Sequence, residues 1–204
     1  LSYIYPLSVA PGPDGFAPQL QLSYSSESTN ERYNFRSPAD SVGEGWSLSL
    51  GSISAETYPF GSTSGAGTWY FLSGVSNVSD RLIPAEAPDY YDTMHISHLR
   101  IHFGNNCFQV WDRSGYYYEL GCTPDSLQYA TDSSNNRTNY RWDINRILAP
   151  YNAAGQVKEI FIHYLQDSVT KNGHTTIRDA GIKQIQYGYA ASLGRSDHLK
   201  QVMG

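Results

Sequence analysis

Apolar and polar residues alternate along most of this 204-residue chain, in short stretches separated by turn residues. Residues 19–24 place Leu20, Leu22 and Tyr24 on one side of a strand, and residues 46–50 repeat the pattern. A period of two predicts that one face of each strand packs while the other meets water. Similar stretches lie at 2–9, 68–72, 81–83, 98–103, 107–112, 116–120, 127–131, 139–148, 157–166, 175–179, 182–189 and 198–202, and the strand that begins at 46 is predicted to continue to 55. The pattern predicts an all-β fold, either an antiparallel β-sandwich or a meander of short strands.

The segment from Asp112 to Gly115 predicts the turn of one hairpin. Asp at the first position and Gly at the fourth are typical of a type I turn, which pairs residues whose numbers sum to 228. A two-residue turn instead gives a sum of 229 and sets Cys107 opposite Cys122, where a disulfide is geometrically feasible. In the first register Cys107 faces Gly121 and a disulfide is awkward. We favour two half-buried free thiols, with one structural disulfide as the alternative.

A second hairpin is predicted to join 145–149 to 157–164 through the turn Asn-Ala-Ala-Gly at 152–155. Because 157–164 carries apolar residues on both faces, we expect its strand to be central or covered on both sides. The best helix candidate, 37–42, is short and contains a proline near its start. The glycine-rich stretch 61–67 has no helix pattern after it and is predicted to be a loop.

Composition agrees with an all-β chain and limits the classes of partner. The 17 Tyr, 18 Gly and 10 Pro favour strands and turns over helix interiors. A net charge of −5 argues against a nucleic-acid partner, since such surfaces normally cluster Lys and Arg. No apolar stretch approaches the roughly 20 residues of a membrane span. The length suits a single β-rich domain covering 1–204.

Three histidines are the first metal-site candidates. His95, His98 and His102 are close in sequence, and imidazole is a common zinc ligand. If 98–103 is a strand, Arg100 lies between His98 and His102 on the same face, and its positive charge opposes a bound cation. We therefore interpret this face as the polar side of a strand and predict no metal site.

Two pairs of acidic residues are candidates for glycoside hydrolysis, which needs two carboxylates at defined separations. They are Asp89 with Asp92, and Asp112 with Glu119. Asp112 is predicted to hold the turn of the first hairpin. Glu119 is not directly opposite Asp112 in either register, so the two carboxylates do not form a cross-strand pair. The sequence also contains no nucleophile elbow, phosphate loop or dinucleotide fingerprint. We predict no catalytic residue, no cofactor and no enzymatic activity.

Aromatic residues permit two interpretations. Trp111, Tyr116 and Tyr118 crowd the first hairpin, and Trp69 offers a second platform. In the first interpretation such rings pack across strands and between sheets, each pair contributing roughly 0.2–1 kcal/mol. In the second they are exposed and stack on sugar rings, which makes these four residues the candidate ligand-binding set of a carbohydrate-binding β-sandwich.

Several motifs resemble one known family. Residues 11–26, Pro-Gly-Pro-Asp-Gly-Phe-Ala-Pro-Gln-Leu-Gln-Leu-Ser-Tyr-Ser-Ser, and residues 43–50, Gly-Glu-Gly-Trp-Ser-Leu-Ser-Leu, carry the most specific part of the likeness. Weaker similarity continues at 71–74, 111–118, 140–147 and 155–164, whereas 27–40 and 167–177 follow no matching pattern. These motifs resemble the N-terminal domain of bacterial Rhs and YD-repeat proteins. The same domain opens the B components of insecticidal toxin complexes and the Salmonella virulence plasmid B-protein family.

The resemblance implies a function without catalysis. In such proteins β-rich segments form part of a shell around a toxic cargo, so the expected partners are downstream β-segments or repeats of the same polypeptide. The chain is then an N-terminal piece of a larger protein that is secreted or on the cell surface. The alternative is a carbohydrate-binding module whose partner is a polysaccharide.

Overall fold

The computed structural model describes residues 2–26, 42–43, 45–48, 50–57 and 68–190. These residues form antiparallel strands in two sheets and confirm the all-β prediction. In chain order the strands are β1 (Ser2–Leu7), β2 (Leu20–Ser25), β3 (Trp46–Leu48), β4 (Ser52–Thr57), β5 (Thr68–Val75), β6 (Val78–Pro84), β7 (Tyr90–Thr93), β8 (Arg100–Gly104), β9 (Cys107–Trp111), β10 (Tyr117–Leu120), β11 (Leu127–Thr131), β12 (Arg137–Leu148), β13 (Lys158–Lys171) and β14 (His174–Tyr189). Single-turn 3₁₀ helices lie at Pro13–Gly15 and Pro124–Ser126. No helix in the described part of the chain is long and apolar enough to cross a membrane.

The larger sheet closes into an eight-stranded barrel, so the predicted sandwich is wrong. Strands β4 to β10 lie side by side in chain order, as the meander alternative expects, and β12 pairs with both ends of this series. The closure depends on the length of β12, which is 12 residues. Its residues 141–143 pair with β4, and its residues 144–148 pair with β10. A closed sheet of this kind leaves no unpaired edge among its own strands.

The barrel interior is filled by apolar side chains from alternate positions of its strands. Fully buried members are Ile53, Leu72, Val75, Ile101, Phe108, Val110, Leu120 and Ile144. Aromatic rings meet in the same interior: the Phe103 and Phe108 centroids are 4.6 Å apart, and Phe108 meets Trp142 edge to face at 5.2 Å. These rings form the aromatic part of the barrel core.

Two predicted hairpins are confirmed, and the first has the 228 register, one of the two that the sequence left open. Tyr117 pairs with Trp111 and Tyr118 with Val110, so paired numbers sum to 228. The turn closes as expected, since Gly115 has a positive φ of 82° and its N–H donates to the carbonyl of Asp112 at 3.1 Å. The second hairpin joins β12 to β13 through an equivalent turn that begins at Asn152.

Cys107 and Cys122 form a disulfide, so the favoured prediction of free thiols is wrong. The bridge forms in the 228 register that was expected to make it awkward. The reason is that β10 ends at Leu120 and the chain turns at Gly121, which has a φ of 69°. This turn brings the Cα of Cys122 to 4.9 Å from that of Cys107, within the usual range for a disulfide. A side chain at Gly121 would also run into the Trp142 ring.

Strands β13 and β14 form a long ribbon that pairs with the barrel strand β12 at its base and with β11 near its tip. Its tip is the two-residue turn Asn172-Gly173, where both residues have positive φ, of 54° and 82°. Such a turn matches the twist of a hairpin. The strand near the barrel has buried residues such as Ile160 and Ile162, whereas residues 165–171 are mostly exposed. The sequence did not predict that the strand continues through residues 167–171, because apolar and polar residues do not alternate there.

The three N-terminal strands form a separate small sheet in the order β1-β2-β3. It is linked to the barrel by the segment between β1 and β2: the Tyr187 hydroxyl donates to the Ala10 carbonyl at 2.7 Å, and Phe16 stacks on Tyr116 at 6.4 Å. Three predictions lie wholly or mostly outside the described residues, namely the helix candidate 37–42, the loop 61–67 and the strand 198–202.

Candidate functional site

The four aromatic candidates do not share one surface. Tyr118 belongs to the barrel interior and is 9% exposed, whereas Trp111 packs on the other side of the sheet against Tyr117, with ring centroids 5.2 Å apart. Tyr116 lies at the mouth of the barrel, against Phe16. The alternation of side chains along β9 and β10 causes this separation.

Trp69 lies on the outer wall of β5 and is 38% exposed. The guanidinium of Arg81, from β6, lies 3.1 Å from the centroid of the Trp69 ring. This cation–π contact covers one face of the indole. Phe71, two residues along the same strand, is 43% exposed and continues the apolar wall.

Tyr118 is held by Asp112 rather than exposed to ligands. Its hydroxyl donates to Oδ2 of Asp112 at 3.3 Å, and the hydroxyl of Ser76 donates to the same oxygen at 2.8 Å. The other oxygen, Oδ1, accepts the backbone N–H groups of Ser114 and Tyr116. Burial is the main cause that raises the pKa of Tyr118 to about 12. Asp112 therefore organises a turn and a buried hydroxyl.

The acidic candidates are engaged in separate networks. Glu119 Oε1 accepts from the hydroxyl of Tyr117 at 3.1 Å and lies 3.4 Å from Nη1 of Arg146. Arg146 also donates through Nε to Glu159 at 2.5 Å, and both of these residues are buried. Burial, followed by the charge of Glu119, raises the pKa of Tyr117 above its ordinary value. Sequence analysis missed this buried network, because charged residues at alternate strand positions normally predict an exposed face.

The three histidines lie in different environments. His95 is exposed, with Nδ1 3.2 Å from Oδ1 of Asp80, while His102 places Nδ1 3.1 Å from Oε1 of Gln109. His98 precedes β8 and has a positive φ of 57°, so the prediction that it shares a strand face with His102 is wrong. Among the residues that the structure describes, no three His, Cys, Asp or Glu side chains are arranged to hold a metal ion.

A cleft of about 860 Å³ lies between the N-terminal sheet and the mouth of the barrel. Its walls come from residues within 14–23, 47–51, 73–79, 112–118, 147 and 158–160. Tyr116 and Tyr118 reach it from the barrel. Sequence analysis did not find this cleft. Its wall residues are spread over six parts of the chain, and nearly half of them are serine, glutamine or glycine, which carry no signal of a site in a single sequence.

Comparison with solved structures finds the same fold in two proteins. The N-terminal domain of the effector protein SpvB from Salmonella typhimurium strain LT2 matches with a TM-score of 0.58 and 18% identity, over 85% of this chain and 59% of that one. The TcdB2-TccC3 structure matches with a TM-score of 0.55 and 17% identity, over 81% of this chain and 8% of that one. No family model and no curated protein sequence matches the chain. The fold expected from the motif resemblance is thus found, and this chain spans only part of both matching proteins.

Proposed function

We propose that this chain is a non-catalytic structural β-domain, which packs against further β-segments of a larger polypeptide that is secreted or on the cell surface. The observation that carries the proposal is the exposed edge strand β1. Strand β1 pairs with β2 along one side, and no other described strand pairs with it.

The side chains of β1 are unusually apolar for a solvent-exposed edge. Tyr3, Ile4 and Tyr5 are 56%, 60% and 52% exposed. Because Ile4 points to the opposite face from Tyr3 and Tyr5, both faces of the strand present apolar surface to water. An open edge with apolar side chains is a template for pairing with another strand. A neighbouring β-segment would satisfy the backbone groups of this edge and cover its side chains.

The outer half of the β13–β14 ribbon offers a second surface of the same kind. Leu165 is 68% exposed and Val169 is 40% exposed, although both lie in a regular strand. The ribbon pairs with β12 at its base and with β11 between Ala130 and Thr176. Leu165 lies between these two pairings, and Val169 lies opposite Thr176, near the tip. These exposed strands favour contacts with segments outside this chain.

The structural comparisons support the setting of this proposal. The matching proteins are an effector and a toxin-complex chain, and in both of them the matched region is part of a longer chain. The carbohydrate-binding alternative has less support from the predicted residues. Tyr118 is buried and Arg81 covers one face of Trp69, so the predicted rings form no common exposed row.

Size-exclusion chromatography with light scattering tests the proposal on this 204-residue chain. We expect the mass to rise with concentration, because the open edge of β1 pairs between copies when no downstream segment covers it. Ile4→Lys places a charge on that edge and should shift the chain towards monomer. Ile96→Lys is the matched control, since Ile96 is 90% exposed but lies outside the strands. A monomer at every concentration, or equal effects of the two substitutions, would contradict the proposal.

A further inference from the structure

The cleft between the N-terminal sheet and the barrel has the volume of a ligand site. Clefts that bind small molecules commonly measure about 300–1,000 Å³, and this one measures about 860 Å³. The N-terminal region and the barrel each form part of its walls, and the stacking contact between Phe16 and Tyr116 holds these two parts together. Its shape therefore depends on contacts within the chain.

Neutral hydrogen-bonding groups dominate the lining of this cleft. The serines in its walls are Ser23, Ser47, Ser73, Ser76, Ser79 and Ser114. Gln19, Gln21 and Asn77 add amide groups, which both donate and accept. Hydroxyl and amide side chains of this kind match ligands that carry many hydroxyl groups, because each partner can donate or accept at every contact.

Each charged side chain that lines the cleft has a partner within the protein. Asp112 has both oxygens engaged by protein donors, and Asp14 lies 3.5 Å from Nζ of Lys158. No cationic side chain other than Lys158 lines the cleft among the described residues. A phosphate or carboxylate ligand needs an excess of positive charge or convergent N–H donors, which this lining does not supply. The lining therefore favours an uncharged ligand.

Aromatic rings complete the site. Phe16 and Tyr116 stack with an interplanar angle of 26°, so each ring covers part of one face of the other, and both are only partly buried. The negative face of an aromatic ring attracts the weakly positive C–H groups on one side of a sugar ring. Aromatic faces beside hydroxyl and amide groups are the combination that binds sugars.

We infer that this cleft binds a neutral oligosaccharide, which contacts the part of the Tyr116 ring that Phe16 leaves uncovered and is hydrogen-bonded by the surrounding serine and glutamine side chains. The site differs from the row of rings that the sequence predicts, since it excludes Trp69 and Trp111 and uses walls from the N-terminal sheet. It does not depend on the proposed packing function, because the cleft lies within a single chain.

Isothermal titration with uncharged hexasaccharides tests the inference. The probes are maltohexaose, cellohexaose and the hexamer of N-acetylglucosamine, with hexagalacturonate as a negatively charged comparison. We expect at least one neutral probe to bind with a Kd of about 1 mM or tighter, and hexagalacturonate to bind at least about tenfold more weakly. No heat of binding from any neutral probe at about 5 mM would overturn the inference.

Two equivalent turns provide a matched pair of variants. Ser114 and Ser134 are exposed, and each is the third residue of a turn that begins with an aspartate. The N–H of Ser114 donates to Oδ1 of Asp112 at 2.8 Å, and that of Ser134 donates to Oδ1 of Asp132 at 2.8 Å. Ser114 lines the cleft and Ser134 does not. Ser114→Trp should abolish binding by filling the cleft, whereas Ser134→Trp should leave the Kd unchanged. Equal affinities of the two variants would place any bound sugar elsewhere and overturn the inference.

Tyr116→Leu tests the stacking contact. It keeps an apolar side chain against the barrel but removes the aromatic face, so we expect binding to weaken about tenfold. The thermal unfolding temperature of each variant shows whether the fold is retained, and the Ser114 and Ser134 comparison stands if Tyr116→Leu fails to fold. A strictly monomeric chain that binds a hexasaccharide would contradict the packing proposal and support this inference.

Discussion

The barrel and the N-terminal sheet are built from similar strands, yet they bury their side chains to very different degrees. The barrel closes through β12, so its strands have partners on both sides and its interior residues, such as Ile101, are fully buried. The N-terminal sheet has three strands and an open edge at β1, where Ile4 is 60% exposed. Closure, rather than strand composition, separates a region that is stable by itself from one that needs a further partner.

The largest effect is expected when isoleucine is replaced by alanine in each region and the two losses in the free energy of unfolding are compared. Ile101→Ala removes a fully buried side chain from the barrel and should lower the free energy of unfolding by about 2–5 kcal/mol. Ile4→Ala should lower it by less than about 0.5 kcal/mol, because the side chain is already in water. Urea unfolding followed by tryptophan fluorescence measures both values. Similar losses would mean that β1 is packed in solution and that the contrast between the regions is wrong.

The disulfide should contribute slightly less to the stability of the barrel than the buried side chain of Ile101 does. It closes a loop over a sequence separation of 15 residues, for which the chain-entropy model gives about 3 kcal/mol. The double variant Cys107→Ser, Cys122→Ser should show this loss in chemical unfolding. Reducing agent should destabilise the original chain and leave the double variant unaffected. A chain that gives two free thiols on titration under non-reducing conditions would contradict the pairing.

The buried hydroxyl of Tyr118 should make the smallest of these contributions to the stability of the barrel, and this contribution should be lost at high pH. Because burial raises the pKa of Tyr118 from 10.0 to about 12, the folded chain keeps a proton that the unfolded chain releases. This contribution is fully present below pH 10 and is lost as the pH rises from about 10 to about 12. Tyr118→Phe should therefore reduce the fall in stability over that range, by up to about 1.4 kcal/mol per pH unit. An unchanged slope in unfolding experiments at pH 10 to 12 would contradict a buried hydroxyl.

Local patterns in the sequence determined the all-β class, most strand positions, and both hairpin turns that were predicted in detail. Asp112 and Gly115 predicted a type I turn and its 228 register as one of two alternatives, and the structure has that register. These features depend on residues close together in the chain, so a single sequence contains the information. The resemblance to a known family predicted the same fold that the structural comparison finds.

Tertiary structure alone decided the features that bring distant segments together. Barrel closure requires β12 to reach both β4 and β10, and the bridge between Cys107 and Cys122 requires the turn at Gly121 to bring the second cysteine back. The cleft likewise joins residues from six parts of the chain, and Arg146 and Glu159 are buried only because other strands cover them. Alternation along one strand says which side chains share a face, but it does not say what packs against that face. That choice is made by long-range contacts, whose energies depend on the whole fold.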